Sequence, residues 1–185
     1  MEPAVKFVPG AIISRIEMGT LAVHSAKGMA HKLFGTAANI MTVEKQLSAM
    51  LFVFTRFDCL MLPADMLLRD PSMMRDVLQA MVKQVSTSGE VLGIAVSMEC
   101  WLRAMSPKEM SEVQQGKRDY IKASAHPERQ EGILAQCEWC DGERYMVSSI
   151  ISRGDSLTLS APLGTTQVTP RFEYLFKQRI NPILN

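Results

Sequence analysis

The pattern of hydrophobic and polar positions predicts helices in the first part of the chain. Apolar residues recur loosely at helical spacing from position 11 to position 34, which predicts one imperfect helix or two short ones. Gly35 follows as the expected end of that segment, because glycine commonly ends helices. A further helix is predicted from Thr42 to Met50, with Thr42 as its N-cap.

The middle of the chain combines strand-like runs with one amphipathic helix. The segment LFVFTRF (51–57) is aromatic and β-branched, which predicts a strand, and Asp58-Cys59 is expected to turn the chain into a short or edge strand limited by Pro63. An apolar stripe at i, i+3 and i+4 spacing predicts the main helix over residues 70–85. The run EVLGIAVSMECWL (90–102) is apolar through most of its first half, which predicts a central strand covered on both faces.

A long polar segment separates this strand from a predicted hairpin. Residues 104–131 are polar, with five basic and five acidic side chains from Lys108 to Glu131, and they are expected to form a functional or mobile loop with a short helix at 107–115. The following stretch predicts two strands joined at Asp141-Gly142, a strong hairpin signal. A last strand is predicted at 157–163.

The order of these elements predicts an α+β fold. We expect a mostly antiparallel sheet of about five strands packed on one main helix, with an N-terminal helical extension. The corresponding division of the chain is an N-terminal helical extension (1–41), an α+β core domain (42–163) and a C-terminal tail (164–185) that docks on the core.

Composition narrows the classes of function. The 185 residues carry a formal net charge of +1, so charge gives no reason to expect nucleic acid or an anionic membrane as the primary partner. The sequence contains no apolar run of 18 residues, so it predicts no transmembrane helix. The N-terminus lacks the pattern of a signal peptide. We therefore expect a cytoplasmic protein whose four cysteines are thiols.

The best-known catalytic and nucleotide-binding motifs are absent from the sequence. It contains no phosphate-binding loop, no dinucleotide-binding glycine pattern and no G-x-S-x-G serine nucleophile. The sequence therefore predicts no catalytic residue and no cofactor, and it favours a protein that is not an enzyme.

The segment CEWCDG contains a C-x-x-C pair, Cys137 and Cys140, that could hold zinc or exchange electrons. One pair supplies only half of a tetrahedral zinc site, and no second pair follows. Strand parity puts Cys137 on the same face as the apolar Ile133, Ala135 and Trp139, so the interpretation that we favour is a structural hairpin. Zinc binding through Cys137 and Cys140 stays open as an alternative.

A small basic patch is predicted in the N-terminal region. At helical spacing, His24, Lys27 and His31 share a face, and Lys32 lies beside them. The patch could contact phosphate or an acidic protein, but the interpretation that we favour is a solvated helix face.

The most specific cluster brings charged residues to an apolar strand. Glu99 stands in the predicted central strand, and a buried carboxylate needs a partner, for which Arg129 is the natural candidate. The structural interpretation is an ion pair that fixes the long loop to the sheet. The functional interpretation is a cleft for a polar ligand or for acid–base chemistry, lined by Glu99, Trp101, His126, Arg129 and Glu131.

These same residues carry a resemblance. The strand end with Ser97, Glu99 and Trp101, followed by Ser124, His126, Pro127, Arg129 and Glu131, resembles a loose group of small uncharacterised bacterial and phage proteins. Those proteins share a Ser-x-Glu-x-Trp strand end and a Ser-x-His-Pro-x-Arg-x-Glu segment before a hairpin. The likeness covers about residues 50 to 163, and Ala123 stands where the group has a first proline. It implies a phage or mobile-element origin.

The sequence thus favours a non-catalytic, protein-binding accessory factor that inhibits a host defence complex in the host cytoplasm. Its expected partner is a host protein or protein complex, and a homo-oligomer stays open. The first alternative is a small-ligand-binding protein or hydrolase-like enzyme that uses Glu99, His126, Arg129 and Glu131. The second is the zinc-binding module described above.

Overall fold

The computed structural model describes residues 14–17, 25–55, 58–65, 75–80, 91–119 and 121–168. The strands in these ranges are β1 (Ser14–Glu17), β2 (Met50–Thr55), β3 (Asp58–Pro63), β4 (Val91–Leu102), β5 (Gln130–Trp139), β6 (Arg144–Arg153), β7 (Leu157–Leu159) and β8 (Leu163–Thr165). The helices are α1 (Ala26–Glu44) and α2 (Pro107–Gln114), residues 75–80 are also helical, and Ala123–Ala125 form a 3₁₀ turn.

The strands form one antiparallel sheet. Their order is β1-β3-β2-β4-β5-β6-β7, and β8 also pairs with β6. The fold class is α+β, as the sequence predicts. The long strand β4 lies at the centre, where it pairs with β2 on one side and β5 on the other.

The central strand β4 is covered on both faces, as its apolar run predicts. Alternate residues of β4 belong to two hydrophobic clusters: Ile94 and Val96 pack with Leu78 from residues 75–80, whereas Ala95 packs with residues of α1. Because side chains alternate across a strand, a strand that is buried on both faces needs an unbroken apolar run.

Helix α1 is held at its start by a side chain from the sheet. The hydroxyl of Ser25 accepts a hydrogen bond from the Gly28 N–H at 3.1 Å. The carboxylate of Glu143, in the β5–β6 turn, accepts from the N–H groups of Ala26 at 2.8 Å and Lys27 at 3.3 Å. These bonds satisfy N–H groups that have no partner within the helix.

The helix boundaries predicted for the N-terminal region are wrong. Helix α1 continues through Gly35 to Glu44, and Lys45 ends it in the left-handed conformation with φ 62°. Thr42 lies in the last turn of this helix, and no helix spans 42–50, because β2 begins at Met50. Packing explains the difference: buried Met29, Phe34 and Met41 outweigh the cost of one helical glycine, about 1 kcal/mol.

Two short elements before the central strand differ from the prediction, and three elements after it agree. Residues 14–17 form a strand and not part of a helix, and Asp58-Cys59 belongs to β3 rather than to a turn. The hairpin, the short helix α2 and a strand beginning at Leu157 are confirmed. Gly142 makes the hairpin turn with φ 91°, a value that favours glycine.

Some predictions lie outside the described residues. Of the predicted main helix, only residues 75–80 are described, and the tail beyond position 168 is not. The division into three segments stays a prediction. Helix α1 begins within the predicted extension, continues past its boundary at position 41, and packs directly on the sheet.

Candidate functional site

The predicted site residues lie where β4 and β5 extend towards the C-terminal end of α1. Trp101 lies directly opposite Glu131 in the β4–β5 pairing, and Glu99 lies opposite Ile133. Residues that are directly paired or two apart on one strand share a face of the sheet. Glu99, Trp101 and Glu131 therefore project from the face on which α1 packs.

An arginine that the sequence reasoning missed holds the two carboxylates together. Arg153, the last residue of β6, donates from Nη2 to Glu99 at 2.7 Å and from Nε to Glu131 at 2.6 Å. Its Nη1 also donates to the carbonyl of Lys45 at 3.0 Å, just after α1 ends. We call Glu99, Glu131 and Arg153 the carboxylate cluster. Two carboxylates and one guanidinium give it a formal charge of −1 when both acids are ionised.

The two carboxyl groups of the cluster differ in acidity. Burial raises the pKa of Glu99 above its ordinary value, and a hydrogen bond with Glu131 raises it further against the opposing effect of Arg153. The pKa of Glu131 is lowered, mainly by its hydrogen bond with Arg153. A proton entering the cluster therefore binds preferentially to Glu99. Such divergence of neighbouring acids is the property that acid–base sites use.

The predicted ion pair between Glu99 and Arg129 is wrong. The guanidinium of Arg129 lies over the ring of Trp101, 4.8 Å from its centroid, and donates to the carbonyl of Ser124 at 2.8 Å. This arrangement is a cation–π contact at the surface, and Trp101 remains 45% exposed. Arg129 belongs to the site through the indole ring and not through the carboxylates.

His126 is placed inside the long loop and not in the surface cluster. It is only 7% exposed, and its Nδ1 accepts a hydrogen bond from the N–H of Glu128 at 3.1 Å. Its carbonyl accepts from the N–H of Arg129 at 3.2 Å. These bonds fix the turn that presents Arg129 to Trp101.

The polar loop that carries His126 is folded and internally paired. Glu109, at the start of α2, forms ion pairs with Arg103 and with Arg118, the latter at 3.4 Å. The hydrogen bond from Arg103 is the main reason that the pKa of Glu109 is lowered. Ser106 caps α2 by accepting from the Glu109 N–H at 3.2 Å.

A polar groove of about 470 Å³ adjoins the exposed tryptophan. It is lined by Arg103, Ala104, Glu128, Arg129 and Gln130. We call Trp101, Arg129 and this groove the Trp101 surface.

The predicted basic patch is engaged with an aromatic ring. Lys27 Nζ lies 5.6 Å from the ring centroid of Tyr145, and the ring of His31 lies 5.5 Å from it. Lys32 is exposed further along α1, and His24 lies outside the described residues.

The two cysteines of CEWCDG occupy different environments. Cys137 is fully buried among residues of α1 and β5, and burial raises the pKa of its thiol. Cys140 is exposed in the turn after β5. Metal ligation and redox exchange both need a thiolate, which burial of Cys137 disfavours. Within the described ranges, no three His, Cys, Asp or Glu side chains are grouped so that they could hold a metal ion.

Among the described residues, no helix is both long and apolar enough to cross a membrane. Comparisons with family models, with curated proteins and with solved structures find no match. The site must therefore be interpreted from its own geometry.

Proposed function

We propose that this protein is a non-catalytic binding factor that docks a protein partner through the Trp101 surface. The observation that carries the proposal is an indole that is 45% exposed at the end of the central strand, with an arginine already stacked on it. Tryptophan and arginine are the side chains most enriched at energetic hot spots of protein interfaces.

The position of Arg129 supports binding with little reorganisation. Its guanidinium is fixed by the Ser124 carbonyl at 2.8 Å as well as by the ring of Trp101. Ordering a long side chain at an interface costs about 0.5–1.5 kcal/mol, so a side chain that is ordered before docking spares part of that cost.

The charge beside Trp101 suggests what the partner presents. Glu131 lies opposite Trp101 in the pairing of β4 with β5, and the carboxylate cluster has a formal charge of −1. A lysine or arginine of the partner next to its contact with Trp101 would complement that charge. The resemblance to phage proteins motivates a host protein complex, such as a defence complex in the host cytoplasm, as the partner.

The experiment compares two truncations of exposed hydrophobic side chains. Trp101→Ala and Leu163→Ala each remove a side chain from the surface, and Leu163, on β8, is 71% exposed. Tagged wild type and both variants are used to purify the partner from host lysate, and the affinity of the purified pair is then measured by calorimetry.

We expect Trp101→Ala to weaken binding at least tenfold, Arg129→Ala to weaken it less, and Leu163→Ala to leave it unchanged. Each variant is first checked for an unchanged melting temperature. Equal affinity of wild type and Trp101→Ala for the partner would refute the proposed surface.

A second candidate function is acid–base chemistry on a small ligand at the same edge of the sheet. The opposite pKa shifts of Glu99 and Glu131 favour it. In that case Glu99→Gln would abolish turnover or binding of the ligand, and Trp101→Ala would retain it. The docking proposal instead expects Trp101→Ala to weaken the affinity for the partner more than Glu99→Gln does.

A further inference from the structure

A second groove, larger and apolar, runs between α1 and strands β2 and β3. Its volume is about 640 Å³, within the range of roughly 300–1,000 Å³ that is typical of small-molecule sites. It exists because α1 packs mainly on β5 and β6 and leaves the neighbouring strands partly uncovered. Its apolar lining includes Leu33, Ile40, Leu47, Phe52, Phe54 and Met61.

The groove is long and narrow. Its lining residues on α1 extend from Met29 to Glu44, fifteen residue steps, which corresponds to about 22 Å along a helix. A volume of about 640 Å³ spread over that length favours a linear occupant over a compact one. The parallel rings of Phe52 and Phe54, with centroids 6.2 Å apart and planes only 4° apart, contribute to the apolar lining along β2.

One polar side chain in the lining of this apolar space is buried and lacks a partner among the described residues. Ser97 of β4 is only 4% exposed, and within the described ranges its hydroxyl has no hydrogen-bond partner. Buried side-chain hydroxyls are nearly always hydrogen-bonded. Since Ser97 pairs with Met50, the first residue of β2, it marks the end of the groove nearest to Leu47 and Ser48.

The charged residues at the rim of the groove indicate what kind of polar headgroup an elongated ligand would carry. Among the described lining residues, Lys32 and Glu44 carry formal charge, one of each sign, and both are exposed. The buried polar groups among the described lining residues are the neutral hydroxyl of Ser97 and the neutral thiol of Cys59, which donates to the Leu60 carbonyl at 3.8 Å. A charged headgroup next to Ser97 would lose its hydration without gaining a counter-ion, which is costly. A neutral hydrogen-bonding group would instead satisfy the Ser97 hydroxyl.

We propose that this groove binds a linear aliphatic molecule with a neutral hydrogen-bonding headgroup, of the class of long-chain alcohols and amides. The tail lies along Phe52 and Phe54, and the headgroup bonds to Ser97. This site is separate from the Trp101 surface, so Trp101→Ala retains it, and either proposal can fail without the other.

The test measures displacement of a fluorescent apolar probe, N-phenyl-1-naphthylamine, from the full-length protein. We expect 1-decanol to displace the probe, and decanoate and decylammonium, which have the same chain, to do so at least tenfold less well. Ser97→Ala should weaken the binding of decanol about three- to tenfold, the usual range for one hydrogen bond. The affinity of the probe itself should stay unchanged.

A matched pair of variants locates the binding. Thr36 and Thr42 are both exposed on α1, and each hydroxyl donates to the carbonyl four residues earlier, at 3.2 and 2.8 Å. Thr36 lines the groove and Thr42 does not. Thr36→Trp should abolish binding of the probe, whereas Thr42→Trp should retain it, and melting curves establish that both variants are folded.

Three results would overturn the proposal. Equal effects of the two tryptophan variants would place the probe elsewhere on the protein. Preference for decanoate or decylammonium would mean that the site selects a charged headgroup. Absence of probe binding together with destabilisation by Thr36→Trp would mean that another part of this chain occupies the groove.

Discussion

The replacement Gly93→Ala tests how tightly the α1 face of the sheet is packed. Gly93 in β4 lies opposite Trp139 in β5, and a Cβ added at position 93 would lie 2.2 Å from Cε3 and 2.4 Å from Cζ3 of the indole. The indole has little room to move, because Trp139 is only 6% exposed and its ring packs on that of Phe54 at 5.9 Å.

The expected magnitude follows from two opposing effects. Forcing a methyl group into a packed core costs about 1–3 kcal/mol, and replacing a strand glycine by alanine returns about 0.5–1 kcal/mol of backbone entropy. The net loss should be about 1–2 kcal/mol. For a chain of 185 residues this corresponds to a melting temperature lower by about 2–8 °C.

Urea unfolding monitored by circular dichroism provides the measurement, and Gly35→Ala provides the control. A Cβ at Gly35, exposed in α1, would meet nothing within 4 Å, so this change should stabilise the protein by about 0.8–1 kcal/mol. In a Trp139→Leu background, Gly93→Ala should become neutral or stabilising, since the clash is gone. If Gly93→Ala were as stable as the wild type, or independent of residue 139, the packing argument would be refuted.

Three further predictions concern charged side chains. Glu143→Gln should reduce the free energy of unfolding by about 0.5–1 kcal/mol, because a carboxylate is lost from the start of α1, and the loss should shrink at high salt. Folding raises the pKa of Glu99 above its ordinary value of 4.5. The stability that Glu99 contributes through this shift is therefore fully present below pH 4.5 and is lost as the pH rises through the raised pKa. Glu99→Gln should therefore lessen the fall in melting temperature from about pH 4.5 to about pH 7, and an unchanged slope would contradict the assignment. Glu131→Gln should instead reduce the loss of stability on acidification, because the pKa of Glu131 is lowered.

Local patterns were sufficient to predict the strands of the core. The apolar run of β4 reflects burial on both faces, and the turn at Asp141-Gly142 fixes the register of β5 with β6. The sequence near α1 does not predict the bounds of this helix, because its start depends on Glu143, more than a hundred positions away, and because an exposed Gly35 resembles a helix end. Such tertiary contacts leave no periodic signal near the helix itself.

The candidate site was predicted in part, for a similar reason. In the β5–β6 hairpin Gly132 pairs with Ile150, so the same register places Glu131 opposite Ile151 and makes Arg153 its diagonal neighbour. Hairpin register alone could therefore have identified the pair of Glu131 with Arg153. The pairing of Glu99 with the same arginine depends on the β4–β5 register, which is set across a connection of 27 residues (103–129) and cannot be read locally.

The two ends of strand β6 position helix α1, and this placement accounts for the apolar groove. Glu143 precedes β6 and binds the start of the helix, and Arg153 ends β6 and binds the Lys45 carbonyl that follows the helix. The lengths agree, since 19 helical residues span about 28 Å and a ten-residue strand about 33 Å. The helix has no acidic residue in its first turn, so Glu143 supplies the negative charge that its dipole favours there. At its other end Arg153 adds a positive charge to that of Lys45, whose ammonium donates to the Thr42 carbonyl.

A helix held over β6 in this way cannot also cover β2 and β3. The apolar groove is therefore a consequence of the same contacts that bring Arg153 to Glu99 and Glu131. If both contacts were removed by Glu143→Gln together with Arg153→Gln, the helix would be free to slide towards the half-buried Phe52. We expect that double variant to lose probe binding more than the sum of its single variants, while remaining folded by circular dichroism. Additive effects would mean that core packing alone sets the position of α1.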